Sequence, residues 1–146
     1  MAGTLFDKTA IPFDGSNGAE LAVTAIGPIL EAAGGDLYFI LVFDQYVKNE
    51  PAQFGEVGHL TIDQAAKMAC ERLVASAVSA GFNATFTIGS DTEVVDGVVN
   101  AAKAASCTAI VLPTHSVSGV TRWLMGNLRD KIVNQAGLPI LALPPV

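Results

Sequence analysis

Chemistry could sit at four places in the chain. In the first, Ile11-Pro12-Phe13-Asp14-Gly15-Ser16, a carboxylate follows an apolar run. There it could accept hydrogen bonds from a ligand's amine or hydroxyls, although Asp-Gly-Ser is equally the composition of a plain turn. The second runs Leu112-Pro113-Thr114-His115-Ser116-Val117-Ser118-Gly119 and leads on to Gly126-Asn127. A small-residue loop entering a helix offers backbone N–H groups and the positive dipole end to an anion. Arg122, Arg129 and Lys131 add positive charge, though a solvated loop with scattered bases would look the same. It is not a P-loop, because no GK[ST] follows the glycines, and GxGxxG occurs nowhere. The third is Ser116 or Ser118 beside His115. Neighbouring positions rarely align a base with a hydroxyl, and no GxSxG elbow is present, so nucleophilic hydrolysis is disfavoured. The fourth is the thiol pair Cys70 and Cys107, far apart and accompanied only by His59 and His115. A disulfide framework, a zinc site and dithiol chemistry all lose support. No carboxylate cluster suits magnesium. Trp123, Leu124 and Met125 could line a pocket, but packing is their commoner use.

The composition limits what these residues can serve. The chain has 146 residues, 51% apolar and 15% charged, with a mean hydropathy of +0.46. That is too apolar for a disordered chain and fits one packed domain over residues 1–146. Eight basic against 14 acidic residues leave a net charge of −6, so nucleic acid and anionic membranes are poor partners. No apolar run is long enough to span a bilayer, and the opening MAGTLFDKTA lacks the regions of a secretory signal. A soluble, cytoplasmic protein is expected.

The elements that would position the candidate residues show as short apolar runs between helical patterns. Runs at 9–13, 37–43 (LYFILVF), 108–112 (TAIVL) and 138–143 (LPILAL) read as strands buried on both faces. Residues 82–88 alternate, with Phe82, Ala84, Phe86 and Ile88 on one side, as an edge strand does. Asn17 with Glu20, Thr61 with Gln64 and Ser90 with Glu93 read as capping boxes. The first predicted helix carries the stripe Leu21, Ala25, Ile29, Ala32, with Pro28 expected to bend or shorten it and Gly34-Gly35 to stop it. The second carries Ile62, Ala65, Ala69, Leu73 and Ala77; the third Val94, Val98, Ala101 and Ala105; the fourth Leu128, Ile132 and Val133. The order β-α-β-α-β-α-β-α-β predicts an open parallel sheet with helices on both faces. Ligands of such sheets bind beyond the carboxyl ends of the strands. Residues 44–60 form a long connection of the kind that covers sites.

Taken in order, these segments resemble the universal stress protein family, as a UspA-like domain. The resemblance is carried by Ile11-Pro12-Phe13-Asp14-Gly15-Ser16, by Ile40-Leu41-Val42-Phe43, by Gly89-Ser90-Asp91, and by the closing stretch from Ile110 through Thr114-His115, Ser118-Gly119 and Gly126 to Leu143. It implies an adenine nucleotide alpha hydrolase-like α/β fold with strand order 3-2-1-4-5. ATP-binding members carry Gly, two residues, Gly, nine residues, then Gly followed by Ser or Thr. The matching positions here are Pro113, Ser116, Gly126 and Asn127, so the spacing survives while two of the three glycines do not. Pro113 has no amide to donate, and Ser116 resists a positive φ.

The implied nucleotide site takes in Pro12, Asp14, Phe43, Leu112, Pro113, His115, Ser116, Gly126, Asn127 and Leu128. The expected function is a binding or regulatory module of the stress response rather than an enzyme, holding ATP or AMP weakly if at all and acting on an unnamed regulatory partner. The alternatives are a partner-binding dimer with a filled pocket and, less favoured, a nucleotide phosphate hydrolase. A homodimer is expected through the last strand, by Leu138, Ile140, Leu141 and Leu143, with Pro144 and Pro145 ending the ladder.

Overall fold

A computed structural model of the chain describes residues 5–13, 18–44, 62–91, 94–112 and 127–143. Strands β1 (Lys8–Phe13), β2 (Asp36–Asp44), β3 (Ala84–Asp91), β4 (Ala109–Leu112) and β5 (Ile140–Ala142) alternate with helices α1 (Gly18–Ala33), α2 (Ile62–Ser79), α3 (Val94–Ala104) and α4 (Asn127–Gln135). The strands form one parallel sheet in the order β3-β2-β1-β4-β5, as expected. One apolar cluster joins α1 and α2 to Ile11, Phe13, Phe39 and Leu41 on one face of the sheet. A second joins α3 and α4 to Ala10, Ile40, Ile110 and Leu112 on the other. Two covered faces explain why β1, β2 and β4 read as continuous apolar runs. β3 lies at an edge, and Ala84, Phe86 and Ile88 pack half-buried against the first cluster, as the alternation predicted.

Several expectations need correction. The stripe Leu21, Ala25, Ile29, Ala32 faces outward, with Leu21 40% and Ile29 43% exposed. The buried face of α1 is instead Ala19, Ala22, Val23, Ile26 and Leu30. Because α1 is apolar nearly all round, helical spacing fits either set, and only the close approach that small residues allow decides between them. Pro28 does not shorten α1. It withholds the N–H that Thr24's carbonyl would accept, but both residues are exposed and water can take that carbonyl. Ser90 does not cap α3, because β3 runs on through Ser90 and Asp91 in register with Phe43 and Asp44. The buried face of α3 centres on Val95, Val98, Val99 and Ala102, leaving Ala101 and Ala105 at its margin. On α4 Ile132 is buried, whereas Val133 is 53% exposed. β5 is shorter than the apolar run that marks it, although the Pro139 carbonyl and the Leu143 N–H still bond to β4, at 2.9 and 3.1 Å. The side chains of Ile62, Val94 and Leu128 lie outside the described set.

Helix ends follow a common rule, with one exception. α2 closes with Phe82 N–H on the Ala77 carbonyl and Gly81 N–H on Val78, and Gly81 supplies the positive φ of 97°. α3 closes in the same way, with Cys107 N–H on Ala102 and Ser106 N–H on Lys103, but there Ser106 holds φ 60°. A left-handed L-residue costs about 1–2 kcal/mol, part of which glycine gives back through unfolded-chain entropy. Ser106→Gly should therefore stabilise the fold by about 0.5–1 kcal/mol, read as a raised urea midpoint at unchanged m-value.

Candidate functional site

The sheet reverses direction between β1 and β4: the chain passes from β1 outward to β2 and β3, then returns to β4 and continues to β5. Their carboxyl ends are where a ligand site belongs in this architecture. The β1–β2 ladder runs the full length of β1, to Phe13↔Leu41. The β1–β4 register pairs are only Thr9↔Ala109 and Ala10↔Ile110. Pro12 supplies the reason. Lys8 turns its carbonyl to Thr108 N–H at 2.8 Å, and residues two and four further along β1 face the same way. Pro12 thus faces β4 with no N–H to give, so pairing lapses beside Leu112 and a crevice can open there.

Of the expected site residues, Pro12 and Leu112 are buried at the ends of adjacent strands, Leu112 with no exposure at all. Phe43 is the penultimate residue of β2, which neighbours β1. Asn127 opens α4 and Leu128 follows it, so the helix start falls where the sequence put it. The side chains of Phe43, Asn127 and Leu128 are outside the described set. Asp14, Pro113, His115, Ser116 and Gly126 lie outside the described residues altogether, as do residues 45–60 of the long connection.

The cysteines offer no nucleophile. Both are buried. Burial pushes the Cys70 thiol up to about 12, with the Glu71 charge adding to it. Burial raises Cys107 as well, against a smaller lowering by Lys8. Thiols so placed stay protonated and inert at neutral pH. Among the described residues no three of His, Cys, Asp and Glu gather closely enough to hold a metal ion, and no helix is long and apolar enough to cross a membrane.

Sequence reasoning missed one feature. A groove of about 480 Å³ runs between α1 and α2, lined by Glu20, Thr24, Gly27, Glu31, Ser76, Ala80 and Phe82 among others. It depends on which face α1 buries, and the sequence periodicity put that face the wrong way round. The usable signal was the eleven-residue spacing of Glu20 and Glu31 with Gly27 between them.

The sequence profile of the universal stress protein family matches residues 6–144. The fold is that of solved family members. One from Burkholderia pseudomallei is 17% identical with a TM-score of 0.69, over 98% of this chain and 99% of that one. A universal stress protein from Archaeoglobus fulgidus in complex with dAMP is 16% identical, TM-score 0.65, over 95% and 98%. A universal stress protein in complex with cAMP is 14% identical, TM-score 0.66, over 97% and 98%. At these identities the likeness is one of fold. No curated protein matches the sequence significantly.

The thiols give a test of burial. In the unfolded chain Cys70 ionises near its ordinary value of 9.0, while in the folded protein it stays neutral up to about 12. Between those values the unfolded state binds fewer protons, so stability falls as pH rises. The urea midpoint should drop steadily from pH 9 to pH 11, and Cys70→Ala should flatten that slope.

Proposed function

The chain belongs to the universal stress protein family, and from that premise we propose that it is a cytoplasmic binding and regulatory module of the stress response that holds an adenine nucleotide weakly. The observation that carries this reading is the lapse of β1–β4 pairing at Pro12, beside Leu112 at the carboxyl end of the sheet, the end from which the chain leads on to α4 at Asn127. Solved structures of the same fold in complex with dAMP and with cAMP support an adenine ligand. In this reading the phosphates lie between residues 113–116 and the amides of Gly126, Asn127 and Leu128, the last two in the first turn of α4. The base lies near Asp14 and Phe43. Magnesium would accompany the nucleotide and not bind alone.

Weakness follows from the glycine replacements. An amide missing at Pro113 and a bent backbone at Ser116 each remove on the order of 1 kcal/mol of phosphate binding. Pro113→Gly combined with Ser116→Gly should raise ATP affinity at least about tenfold by calorimetric titration. Absence of binding before and after the change would leave the partner-binding dimer as the better account.

The dimer belongs to the same proposal. β5 is an edge strand, with Leu141 36% exposed and Ile140 half-buried. Pairing with a second copy's β5 would cover it, and a two-fold pairing is closed. Leu141→Asp should give monomers or insoluble protein by light scattering; an unaltered dimer would place the interface elsewhere.

A further inference from the structure

The groove between α1 and α2 lies along one face of the sheet. Gly27 faces its floor. A Cβ there would stand 3.7 Å from the tip of the Phe82 ring, so a longer side chain would roof the space over that ring. The α2 wall is uncharged, formed by Leu73, Ser76, Ala77 and Ala80. The α1 rim is anionic, with Glu20 near one end and Glu31 near the other. Eleven positions are close to three helical turns, so both carboxylates stand on one face of α1, about 16 Å apart.

Neither is held in an ion pair among the described residues; on α2, Lys67 pairs instead with Glu71. α1 contains no Lys or Arg of its own. Glu31 also stands in the last turn of α1, where the helix dipole repels an anion, so a docked cation would relieve an unfavourable placement. Leu21, 40% exposed, extends the apolar lining on to the rim. A second copy of α1 would bring carboxylates against carboxylates, which argues against self-pairing here.

We propose that this groove docks a helix of a protein partner that is apolar along one face and carries a basic residue at each end of that face. Such a helix fills an apolar trough through residues one turn apart. The net charge of −6 would attract it. The site is independent of the nucleotide reading, since its lining shares no residue with the nucleotide site named above.

The probe is a fluorescein-labelled helical peptide of about 18 residues, long enough to hold a helix, with Leu and Ala along one face and Lys at two positions eleven apart. Its twin carries Glu at both positions, and a small panel moves the lysines to spacings of seven and eight. Binding is followed by anisotropy and by amide NMR shifts without nucleotide. The lysine peptide should bind, with shifts centred on Thr24, Gly27, Ser76 and Ala80. Glu20→Lys with Glu31→Lys, both at exposed positions, should weaken it at least about tenfold while the protein keeps one cooperative urea transition at unchanged m-value. The proposal is overturned if the glutamate twin binds equally, if shifts centre on β5 or on the start of α4, if the charge reversal has no effect, or if no peptide of the panel binds. Shifts in the groove that grow with protein concentration alone would also overturn it, in favour of self-association.

Discussion

The register of β1 against its two neighbours is the constraint on which the rest of the molecule depends. Thr9 through Phe13 are all buried, and the two apolar clusters meet across this strand, Ile11 and Phe13 pointing to one and Ala10 to the other. A one-residue slip would exchange the faces and drive every side chain into the wrong cluster. The amino ends are pinned against such a slip. Asp36 N–H reaches the Asp7 carbonyl at 2.9 Å. Thr108 gives its N–H to the Lys8 carbonyl at 2.8 Å and its hydroxyl to the Leu5 carbonyl at 2.9 Å. Gly35 fits because its hydrogen lies against the Phe6 carbonyl, where a methyl group would collide with backbone. With the amino ends aligned, β1 and β4 end within one residue of each other, at Phe13 and Leu112, while β2 runs three residues past Leu41 to Asp44.

That alignment lets a single residue shape the crevice. Proline is usually excluded from central strands because it breaks a ladder on a side that needs it. In β1 the loss falls on the β4 side alone, while the β2 side stays paired to the end of the strand. The sheet remains continuous and opens only at its switch point. Thr9 Oγ1, fully buried with no hydrogen-bond partner, lies in the same strand. β1 therefore tolerates two polar defects, which is credible only because apolar packing presses on it from both faces.

How much of this was legible in the sequence differs by element. Strands buried on both faces announce themselves as apolar runs, and β3 announces its edge position by alternation; each signal has one physical cause. The phase of α1 was not legible, because a helix built largely from Ala, Leu, Val and Ile presents apolar residues all round, and burial is then decided by which side comes closest to the sheet. The Ser90 cap failed because the capping signal is local, whereas pairing with β2 across Leu37 to Asp44 is a long cooperative contact that carries β3 past the cap. At the candidate site, Pro12, Leu112, Phe43 and Asn127 could be placed from strand and helix ends, since these follow from topology. The groove could not be placed, because it is the product of two helix phases.

The width of the sheet explains why its two edges differ. Five strands at about 4.8 Å spacing put the outer strand axes roughly 19 Å apart, while the axes of two packed helices are only about 10 Å apart, so the outer strands are covered by helix flanks alone. On the α1–α2 face the shortfall comes at β5: Leu141 is 36% exposed and Leu143 half-buried, while Ile29 on α1 is 43% exposed. Moving α1 toward β5 would cover these residues but widen the gap to α2, above Gly27 and Phe82. Moving it the other way would close the groove and strip β4. The helix pair therefore leaves apolar surface in two places, a trough between the helices and a strip at β5. Those two places want different partners. The strip is a bare ladder edge that a copy of itself can extend, whereas the trough is lined by two carboxylates and no base, and suits a basic surface rather than a second α1.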